Sequence, residues 1–418
     1  MARIGIYNYG LMNRGGGERK TVAMAEHFSK AHDVFLISQS NVDLATLEAY
    51  FGVDLDRVKL IVLPHLPHVG ESNSPVGRKR SLYDKLGAAF QYARLRKLSL
   101  DVFINNASGD TTPNPSRIGI FMCMFPTVPK GKANGPIATL ARNLERTLIG
   151  TPEDRIATYN IVTANSRFTA YWIKEWWKCQ SAVIYSSAEN MGPPLPKEKI
   201  ILNVGRFTAV KGDNHLKRQE ILLNAFLKMT DLIDAGWQLH FAGSTEQTEQ
   251  GRNYLNGLKD QVEGGAVHFH CDAGAEELRD LYRKSSIYWH ATGFGSDPQA
   301  NPSQQEHLGL TPIEAMSAGA VPVVVRSGGL PETVIHERTG FLWNDLDELA
   351  SYTRRLANND TLFDQMSSQA VLSVSRFEKR AFLDRMDHIV NTLLKGEQLD
   401  LEDYPDAYLK STRDLNIT

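Results

Sequence analysis

Short apolar runs of strand length alternate with helical segments along most of this 418-residue chain. RIGIYN opens the series at residues 3–8, and KIILNVGRF restarts it at residues 199–207, beyond a proline-rich segment. Strands that alternate with helices at this spacing form βαβ units, and such units build parallel sheets. The chain is also too long for one ordinary hydrophobic core. The sequence therefore predicts two doubly wound α/β domains.

The stiff run MGPPLPK lies within residues 191–198 and is typical of a segment that joins domains. We take it as the linker between an N-terminal domain over residues 1–190 and a C-terminal domain over residues 199–376. Residues 377–418 would hold a last helix and an acidic tail. Ligands bind outside the carboxyl ends of the strands in sheets of this kind. The two domains are therefore expected to face each other across a ligand-binding cleft.

Composition restricts the partners and the compartment. The formal net charge of −2 provides no global field for nucleic acid, so no nucleic-acid partner is expected. The three cysteines, Cys123, Cys179 and Cys271, lack the spacing of a zinc site or a disulfide framework, which indicates a reducing compartment. The first residues run straight into a strand, and no apolar run has the length of a membrane span. A cytoplasmic location is expected.

The segment EHLGLTPIE combines two carboxylates with the start of a helix. Glu306 and Glu314 stand eight positions apart, and residues 307–310 form a short loop between them. Thr311 is expected to cap the helix, Pro312 suits its first position, and Glu314 would complete a capping box. Loop N–H groups and the helix dipole could bind an anion, while the carboxylates accept sugar hydroxyls. The pattern fits a nucleotide-sugar site, and it also fits an ordinary capped helix beside a buried strand.

A glycine-rich loop follows the first strand. Its GGG run at residues 15–17 precedes a predicted helix from Glu18 to Lys30, an arrangement that brings backbone close to phosphates. The loop does not match G-x-G-x-x-G, and the next strand ends in Ser38-Gln39 instead of an acid that would bind a dinucleotide ribose. The loop therefore suggests phosphate or sugar and not NAD; the alternative is a plain tight turn.

Basic residues follow the strand ILNVG. Arg206 comes directly after it, and Lys217 opens the next helix. A leaving diphosphate gains negative charge as its bond to a sugar breaks, and fixed cations stabilise that charge. Arg offers a planar fork for phosphate oxygens and Lys a point charge. Taken singly, basic residues of this kind are more often surface charges.

Three segments together resemble the retaining GT-B glycosyltransferases, the large E-x7-E family of bacterial polysaccharide and oligosaccharide-lipid mannosyl- and glucosyltransferases. They are EHLGLTPIE with the following EAMSAGAVPVVVRSGGLPE, the segment VGRF…K…LLNAF, and NSRFTAYWIKEWW…SAVIYSS. The resemblance implies a GT-B fold of two Rossmann-like domains, with a last helix that crosses back to the N-terminal domain. It implies a retaining enzyme that moves a sugar from a UDP- or GDP-sugar to the hydroxyl of a saccharide, glycan or lipid-linked sugar.

The resemblance also implies roles for individual residues. Glu306 would contact the transferred sugar, and Arg206 and Lys217 would neutralise the diphosphate. Lys217 is preferred to Lys211 because its distance from Phe226 fits the family spacing. Glu314 would bind the ribose hydroxyls. The implied donor-binding residues are Gly16, Gly17, His307, Leu308, Gly309, Leu310, Thr311 and Glu314.

The chain departs from the family pattern at one position. Many relatives carry a histidine in a strand-end segment of the type His-Phe-Pro, whereas this chain has Met124 there. What replaces that histidine is left open. Two D-x-D sequences, at residues 54–56 and 345–347, match the metal-binding motif of another transferase fold but lie outside the expected cleft. We expect no metal and no cofactor, the nucleotide sugar being a co-substrate.

Two alternative functions use the same scaffold. A nucleotide-sugar epimerase or phosphorylase would bind similar ligands, although Met124 disfavours the epimerase. A non-catalytic nucleotide-sugar-binding protein is the other alternative, and the intact Glu306 and Lys217 argue against it. His290, at the end of a predicted strand, is interpreted as a packed strand residue.

One basic segment bears on location. Residues 77–97 contain seven Lys or Arg against one Asp, with interspersed apolar residues. Such a helix could make a weak peripheral contact with anionic lipid at the inner face of the membrane. The alternative is a core-packing helix with a basic outer face.

Overall fold

The computed structural model describes residues 1–13, 15–63, 82–127, 136–208 and 217–400. It divides into two compact units. Unit 1 comprises Met1–Ser186 together with the last helix from Phe382 onward, and unit 2 comprises Ser187–Ala381. The basic residues 77–81, Lys211 and the acidic tail 401–418 lie outside the described residues.

Unit 1 contains a parallel sheet that is seven-stranded among the described residues, in the order β3-β2-β1-β4-β5-β6-β7. The strands are β1 (Arg3–Tyr7), β2 (Asp33–Ser38), β3 (Val58–Val62), β4 (Val102–Asn105), β5 (Ile118–Cys123), β6 (Ile161–Ala164) and β7 (Ala182–Val183). The connecting helices are α1 (Gly16–Phe28), α2 (Leu44–Phe51), α3 (Leu82–Arg96), α4 (Pro136–Ile149), α5 (Pro152–Ile156) and α6 (Arg167–Trp177).

Unit 2 contains a parallel sheet that is six-stranded within the part of the chain that the structure describes, in the order β10-β9-β8-β11-β12-β13. The strands are β8 (Glu198–Val204), β9 (Gln238–Gly243), β10 (Val267–Cys271), β11 (Ser285–His290), β12 (Val321–Val325) and β13 (Phe341–Trp343). The helices are α7 (Gln219–Leu227), α8 (Thr230–Asp234), α9 (Glu249–Lys259), α10 (Ala275–Lys284), α11 (Leu310–Ser317), α12 (Leu330–Thr333), α13 (Leu346–Ala357) and α14 (Asp360–Ser373).

The predicted fold class of two doubly wound parallel sheets is confirmed. The central strands are buried throughout, as expected of strands covered by helices on both faces. All five residues of β12 are buried, as are all six of β5 and of β11. In each sheet the strand order reverses beside the first strand of the unit, between β1 and β4 and between β8 and β11.

The last helix, α15 (Lys379–Lys395), packs into the core of unit 1. Phe382, Met386 and Ile389 recur at helical spacing and are buried against apolar residues of that core. On the same side, His27 Nε2 lies 2.6 Å from Asp387 Oδ2. An apolar stripe on one face of α15 therefore joins it to unit 1.

The division between the units falls at Ser186–Ser187, ahead of the proline-rich residues 191–198. Those residues pack as part of unit 2. The Met191 N–H donates to Ser317 Oγ at 3.0 Å, and the Lys197 ammonium donates to three backbone carbonyls of the same unit. The segment is thus anchored by polar contacts at both ends.

Candidate active site

The candidate site lies where the strand order of unit 2 reverses, the position at which doubly wound sheets bind ligands. Arg206 follows β8, and His290 ends β11. Two glycines, Gly243 and Gly205, allow close packing at this end of the sheet. A Cβ on Gly243 would lie 2.1 Å from the Gly205 carbonyl oxygen, and a Cβ on Gly205 would lie 2.8 Å from Lys217 Cγ. The missing side chains therefore allow Lys217 to pass over the end of β8.

Lys217, Glu306 and His290 meet at one carboxylate oxygen. Lys217 Nζ lies 2.9 Å from Glu306 Oε2, and His290 Nε2 lies 3.2 Å from the same atom. The Lys217 and Glu306 side chains are 20% and 15% exposed, and that of His290 is 1% exposed. An ion pair at such partial burial is screened less than one on the surface. The structure thus brings together two of the predicted catalytic residues and adds a histidine.

The protonation of His290 follows from its surroundings. Burial lowers the pKa of its imidazole, against the opposing effect of Glu306. The Thr292 N–H approaches Nδ1 at 3.4 Å, so Nδ1 is the accepting nitrogen and Nε2–H is left to donate to Glu306. His290 is therefore a neutral donor that positions the carboxylate. The sequence analysis interpreted His290 as a packed strand residue and missed this role. Its position as the last residue of a strand, at the carboxyl edge of the sheet where ligands bind, could have indicated it.

The backbone around Glu306 is held by the segment after β12. The Gly329 N–H donates to the Glu306 carbonyl at 2.7 Å. A Cβ on Gly328 would lie 2.0 Å from that carbonyl oxygen, and one on Gly329 would lie 2.2 Å from the His307 carbonyl oxygen. Only glycine permits this approach, and Gly328 also has a φ of 57°. The GG pair of the E-x7-E region is thus a support for the loop that carries Glu306.

The start of α11 differs from the prediction. The helix begins directly after Gly309, whose φ of 87° is left-handed, and no side chain caps it. The predicted cap by Thr311 and capping box with Glu314 are wrong, because the helix begins at Leu310, ahead of the predicted first residue Pro312. Thr311 therefore lies inside the helix, and Glu314 lies too far from its start to complete a capping box. Thr311 Oγ1 instead accepts from the Tyr288 hydroxyl at 2.7 Å, and Glu314 Oε2 accepts from the Tyr282 hydroxyl at 3.0 Å. The positive end of the helix dipole is left without a capping side chain.

The other two basic residues of this region, Arg218 and Arg206, make different contacts. Arg218 donates to the Phe294 carbonyl at 2.9 and 3.2 Å, and so anchors the loop after β11. The Arg206 side chain is exposed and makes no ion pair with any residue that the structure describes. Its backbone is fixed instead, because buried Gln219 donates to the Arg206 carbonyl at 3.2 Å. The structure therefore does not join the Arg206 guanidinium to Lys217 and Glu306.

The predicted glycines of unit 1 open α1. Gly16 and Gly17 are its first two residues, and Gly15 occupies the N-cap position. Glu18 Oε2 accepts from the Gly15 N–H at 2.8 Å. A Cβ on Gly17 would lie 3.4 Å from Met124 Cε, so the residue at the histidine position of the family packs directly against this loop.

The two D-x-D sequences make local contacts with the backbone. Asp345 caps α13 by accepting from the Glu348 N–H at 2.8 Å. Asp54 and Asp56 lie near Glu48 in unit 1, and this is the one cluster of possible metal-binding acids found among the described residues. Asp54 accepts from the Asp56 N–H at 3.0 Å, which is a local turn contact.

Residues 189–372 match the family model described as "Glycosyl transferases group 1". Solved structures extend the likeness over nearly the whole chain. Sucrose-phosphate synthase from Thermosynechococcus elongatus has a TM-score of 0.65 at 17% identity, with 95% of this chain and 100% of that chain covered. HepE from Anabaena, in complex with UDP and glucose, has a TM-score of 0.62 at 15% identity, with 94% and 100% covered. At such identities the structures show the fold alone.

The chain thus has the GT-B fold, and its residues 189–372 are similar to the glycosyl transferases of group 1. The matched domain includes Arg206, Lys217, His290, Glu306 and Glu314. A curated relative is the GDP-Man:Man(3)GlcNAc(2)-PP-Dol alpha-1,2-mannosyltransferase of Dictyostelium discoideum, 24% identical over 258 residues, which are 56% of this chain and 47% of that protein.

A second curated relative is the D-inositol 3-phosphate glycosyltransferase of Corynebacterium diphtheriae, 26% identical over 228 residues, 52% of this chain and 47% of that protein. The chain thus spans less than half the length of these curated relatives. No helix in the described part of the chain is long and apolar enough to cross a membrane.

Proposed function

We propose that this protein is a retaining glycosyltransferase that moves a sugar from a nucleotide-diphosphate donor to a hydroxyl acceptor. The observation that carries the proposal is the Lys217–Glu306–His290 cluster beside the uncapped start of α11. It places a cation, an oriented carboxylate and a helix N-terminus at the reversal point of the unit 2 sheet. A diphosphate and a sugar need these groups together.

The chemistry is one substitution at the anomeric carbon. The bond from that carbon to the diphosphate oxygen breaks, and a bond to the acceptor oxygen forms on the same face. The acceptor proton passes to the leaving phosphate oxygen, so no separate base is needed. Lys217 and the start of α11 stabilise the charge that develops on the diphosphate. Arg206, whose side chain is exposed at the end of β8, adds a further positive charge when the diphosphate binds.

The carboxylates bind the neutral ends of the donor. Glu306 accepts a hydrogen bond from a hydroxyl of the transferred sugar through its second carboxylate oxygen. The contacts of Lys217 and His290 with Oε2 orient that second oxygen. Glu314 accepts hydrogen bonds from the ribose hydroxyls, and the Tyr282 hydroxyl donates a hydrogen bond to one of its oxygens. The residues from His307 to Thr311 then contribute backbone N–H groups to the diphosphate.

Transfer is proposed to be independent of metal ions, because the diphosphate charge is met by basic side chains and a helix dipole. Both donor bases remain in the proposal: one relative is named for GDP-mannose, and one structural neighbour is described with UDP. The acceptor class is a saccharide, glycan or lipid-linked sugar, in keeping with relatives named for such acceptors.

A weak peripheral contact of residues 77–97 with anionic lipid at the inner face of the membrane is part of the same proposal. In the described portion of α3, Phe90 is 55% exposed, and the Arg94 guanidinium lies 5.9 Å from its ring centre. α4 packs against α3 and exposes leucines at helical spacing. The exposed leucines are Leu140, Leu144 and Leu148.

Vesicle sedimentation tests the lipid contact. We expect binding to vesicles that contain phosphatidylglycerol, weaker binding to pure phosphatidylcholine, and loss of binding in the double variant Leu144→Glu, Leu148→Glu. Equal binding of wild type and variant would contradict the role of α4.

The decisive experiment on function pairs donor binding with turnover. Thermal unfolding is followed with UDP, GDP, ADP, TDP and their sugar conjugates, with magnesium and with EDTA. The selected donor is then tested for slow hydrolysis without acceptor, and the anomeric configuration of the product is read by NMR. We expect that the donor stabilises the protein and is hydrolysed in EDTA as well as in magnesium, and that the released sugar keeps its anomeric configuration. Stabilisation without turnover would favour a nucleotide-sugar-binding protein.

A matched pair of variants tests the site. Lys217→Met removes the ion pair with Glu306, and Lys284→Met removes a comparable pair, 3.7 Å from Glu198, on the surface of the same unit. Turnover should fall by about two to three orders of magnitude in the first variant and stay near wild type in the second. Equal rates in both would refute the site.

A further inference from the structure

Three consecutive side chains at the start of α7 contact three different segments at the carboxyl edge of the unit 2 sheet. Lys217 reaches Glu306, and buried Gln219 donates to two carbonyls that directly follow β8. Arg218 lies between them and donates to the Phe294 carbonyl in the loop after β11. The proposed reaction uses Lys217 and gives no role to Arg218, whose contacts are nevertheless the most constrained of the three.

The guanidinium of Arg218 is fixed on both of its sides. Nε and Nη2 donate to the Phe294 carbonyl at 3.2 and 2.9 Å, and Nη1 lies 3.3 Å from Glu220 Oε1. The Tyr254 hydroxyl in turn donates to Glu220 Oε2 at 2.8 Å. Several N–H groups of one planar guanidinium in contact with fixed acceptors set its orientation as well as its position. Arg218 therefore ties the start of α7 to the loop after β11.

The backbone of Arg218 has an uncommon conformation. Its φ of 57° and ψ of 36° are left-handed, and residues with a Cβ rarely adopt this region. Arg218 occupies the N-cap position of α7, so this conformation sets the direction of the chain directly after Lys217. A strained residue of this kind persists only where its surroundings fix it. The contacts with Phe294 and Glu220 provide that fixation.

The loop after β11, residues 291–297, gives Arg218 a firm anchor. The Phe294 ring packs on fully buried Trp343, with 5.0 Å between the ring centres. Gly295 has a φ of 74°, and a Cβ at this position would lie 3.3 Å from Arg218 Nη2. The absence of a side chain at Gly295 thus leaves room for the guanidinium to reach the carbonyl of the preceding residue.

The same loop contacts the residue that precedes Glu306. Gln305 is 1% exposed, and a Cβ on Gly293 would lie 2.5 Å from its Oε1. Gln305 Nε2 also donates to a carbonyl of the loop at 3.4 Å. His290 directly precedes the loop. The loop after β11 is therefore joined to the sequence neighbours of all three residues of the cluster: Lys217, Glu306 and His290.

We propose that Arg218 is a positioning residue for Lys217. Its guanidinium fastens the start of α7 to the loop after β11, and its left-handed backbone directs the Lys217 side chain toward Glu306. Arg218 acts through the Lys217 ammonium and does not itself bind the donor. The effect on turnover rests on the proposed glycosyltransferase function, in which a cation must be held in place to stabilise the leaving diphosphate. The effect on the contact between Lys217 and Glu306 does not depend on that function.

A double-mutant cycle measures the contact between Lys217 and Glu306 without any substrate. Urea unfolding of Lys217→Met, Glu306→Gln and the double variant gives the coupling between the two side chains. The same cycle is then measured in the Arg218→Ala background. Because Arg218 is proposed to hold the Lys217 ammonium at Glu306, the coupling should be present in wild type and lost in this background.

Arg283 provides a matched control in the same unit. Its side chain is 24% exposed and that of Arg218 is 29% exposed. Its Nε donates to the Pro193 carbonyl at 2.8 Å, and its Nη1 lies 3.8 Å from Asp280 Oδ1. Arg283→Ala thus also removes an arginine that joins a backbone carbonyl to an acid. The coupling between Lys217 and Glu306 should be unchanged in Arg283→Ala.

Donor turnover separates positioning from a purely structural role. Arg218→Ala should lower turnover by about ten- to hundredfold, since a displacement of about 1 Å at a reacting group can cost about a hundredfold. Arg283→Ala should stay near wild type. In the Lys217→Met background, Arg218→Ala should cause no further fall, because the residue through which it acts is gone. A structural role would lower turnover by the same factor in both backgrounds.

Two further variants separate the backbone from the side chain. Glycine and asparagine accept the left-handed conformation more readily than alanine, and neither carries a guanidinium. Arg218→Gly and Arg218→Asn should therefore fold even if Arg218→Ala does not. Both should lose the coupling between Lys217 and Glu306, because the contact with the Phe294 carbonyl is removed.

The outcomes distinguish this proposal from the proposed function. Unchanged coupling between Lys217 and Glu306 in Arg218→Gly and Arg218→Asn would overturn the positioning role, whether or not the protein turns over a donor. An equal fall in turnover with and without Lys217 would also overturn it. If wild type hydrolyses no donor while the coupling depends on Arg218, the proposed function fails and the positioning role is supported.

Discussion

Replacing Lys20 by methionine should make the ligand-free protein more stable. The pKa of Lys20 is lowered by burial from 10.5 to about 8. A shift of about 2.5 units corresponds to about 3 kcal/mol of disfavoured charging at neutral pH. Methionine has a similar length and no charge to desolvate, so the gain in the free energy of unfolding should be about 2–3 kcal/mol. For a unit of this size the thermal midpoint should rise by about 5–10 °C.

The gain should depend on pH with a definite sign. Below pH 8 the lysine is charged in both the folded and the unfolded states, and the full penalty is present. Between pH 8 and 10.5 only the unfolded state of the wild type holds the proton, so wild-type stability rises with pH. The difference between Lys20→Met and wild type should therefore shrink as pH rises through this window.

Lys197→Met is the matched control for the assay, which is thermal unfolding of both variants at pH 7 and pH 10. Burial lowers the pKa of Lys197 as well, to about 7, but its ammonium donates to three carbonyls. Its removal takes a donor from all three carbonyls, although the Leu195 N–H still donates to that of Arg283 at 3.2 Å. Because a buried acceptor that is left unpaired costs about 1–3 kcal/mol, the variant should be less stable than wild type. A Lys20→Met variant that is less stable than wild type at pH 7 would refute the reasoning.

Three further predictions concern unit 2. Glu306→Gln should lower donor turnover by about two to three orders of magnitude, measured against Glu198→Gln on the surface, and similar rates would contradict the site. His240 is buried, which lowers its pKa to about 4, so stability should fall as pH drops from 6.5 toward 4, where only the unfolded state gains the proton. In urea unfolding, the loss of stability between pH 6.5 and pH 4 should be smaller for His240→Asn than for wild type. Gly243→Ala should lower the free energy of unfolding by more than about 2 kcal/mol, because the alanine Cβ would lie 2.1 Å from the Gly205 carbonyl oxygen. If the variant unfolds in urea like wild type, the strand ends must be able to move apart to admit the methyl group.

Much of the fold was predictable because its signals are local. Strand runs such as VPVVV are apolar throughout, and the run is observed as the fully buried β12. The glycine loop after the first strand was expected to precede a helix, and α1 begins at Gly16. The helix predicted from Glu18 to Lys30 is observed as Gly16–Phe28, because periodicity and turn residues act within a few positions of sequence.

The candidate site was predicted only in part. The E-x7-E element and the spacing of Lys217 from Phe226 pointed to residues that the structure brings within 2.9 Å in the case of Lys217 and Glu306. The helix cap at Thr311 was wrong, since capping rules consider neighbouring residues and Tyr288, from another strand, engages the hydroxyl instead. The role of His290 was missed for the same reason.

The sequence by itself determined which segments become strands and helices, and hence two parallel sheets with their ligand-binding edges. Hydrophobic periodicity and turn chemistry are properties of short segments, so they need no tertiary context. Only the tertiary structure decided which polar groups meet, because hydrogen-bond partners come from distant segments: Glu306 is joined to Lys217 across 89 positions. It alone showed that Lys197 is satisfied by three carbonyls while Lys20 is buried without a partner among the described residues. Burial and pairing depend on the whole packed chain, and they set the energy of a charge.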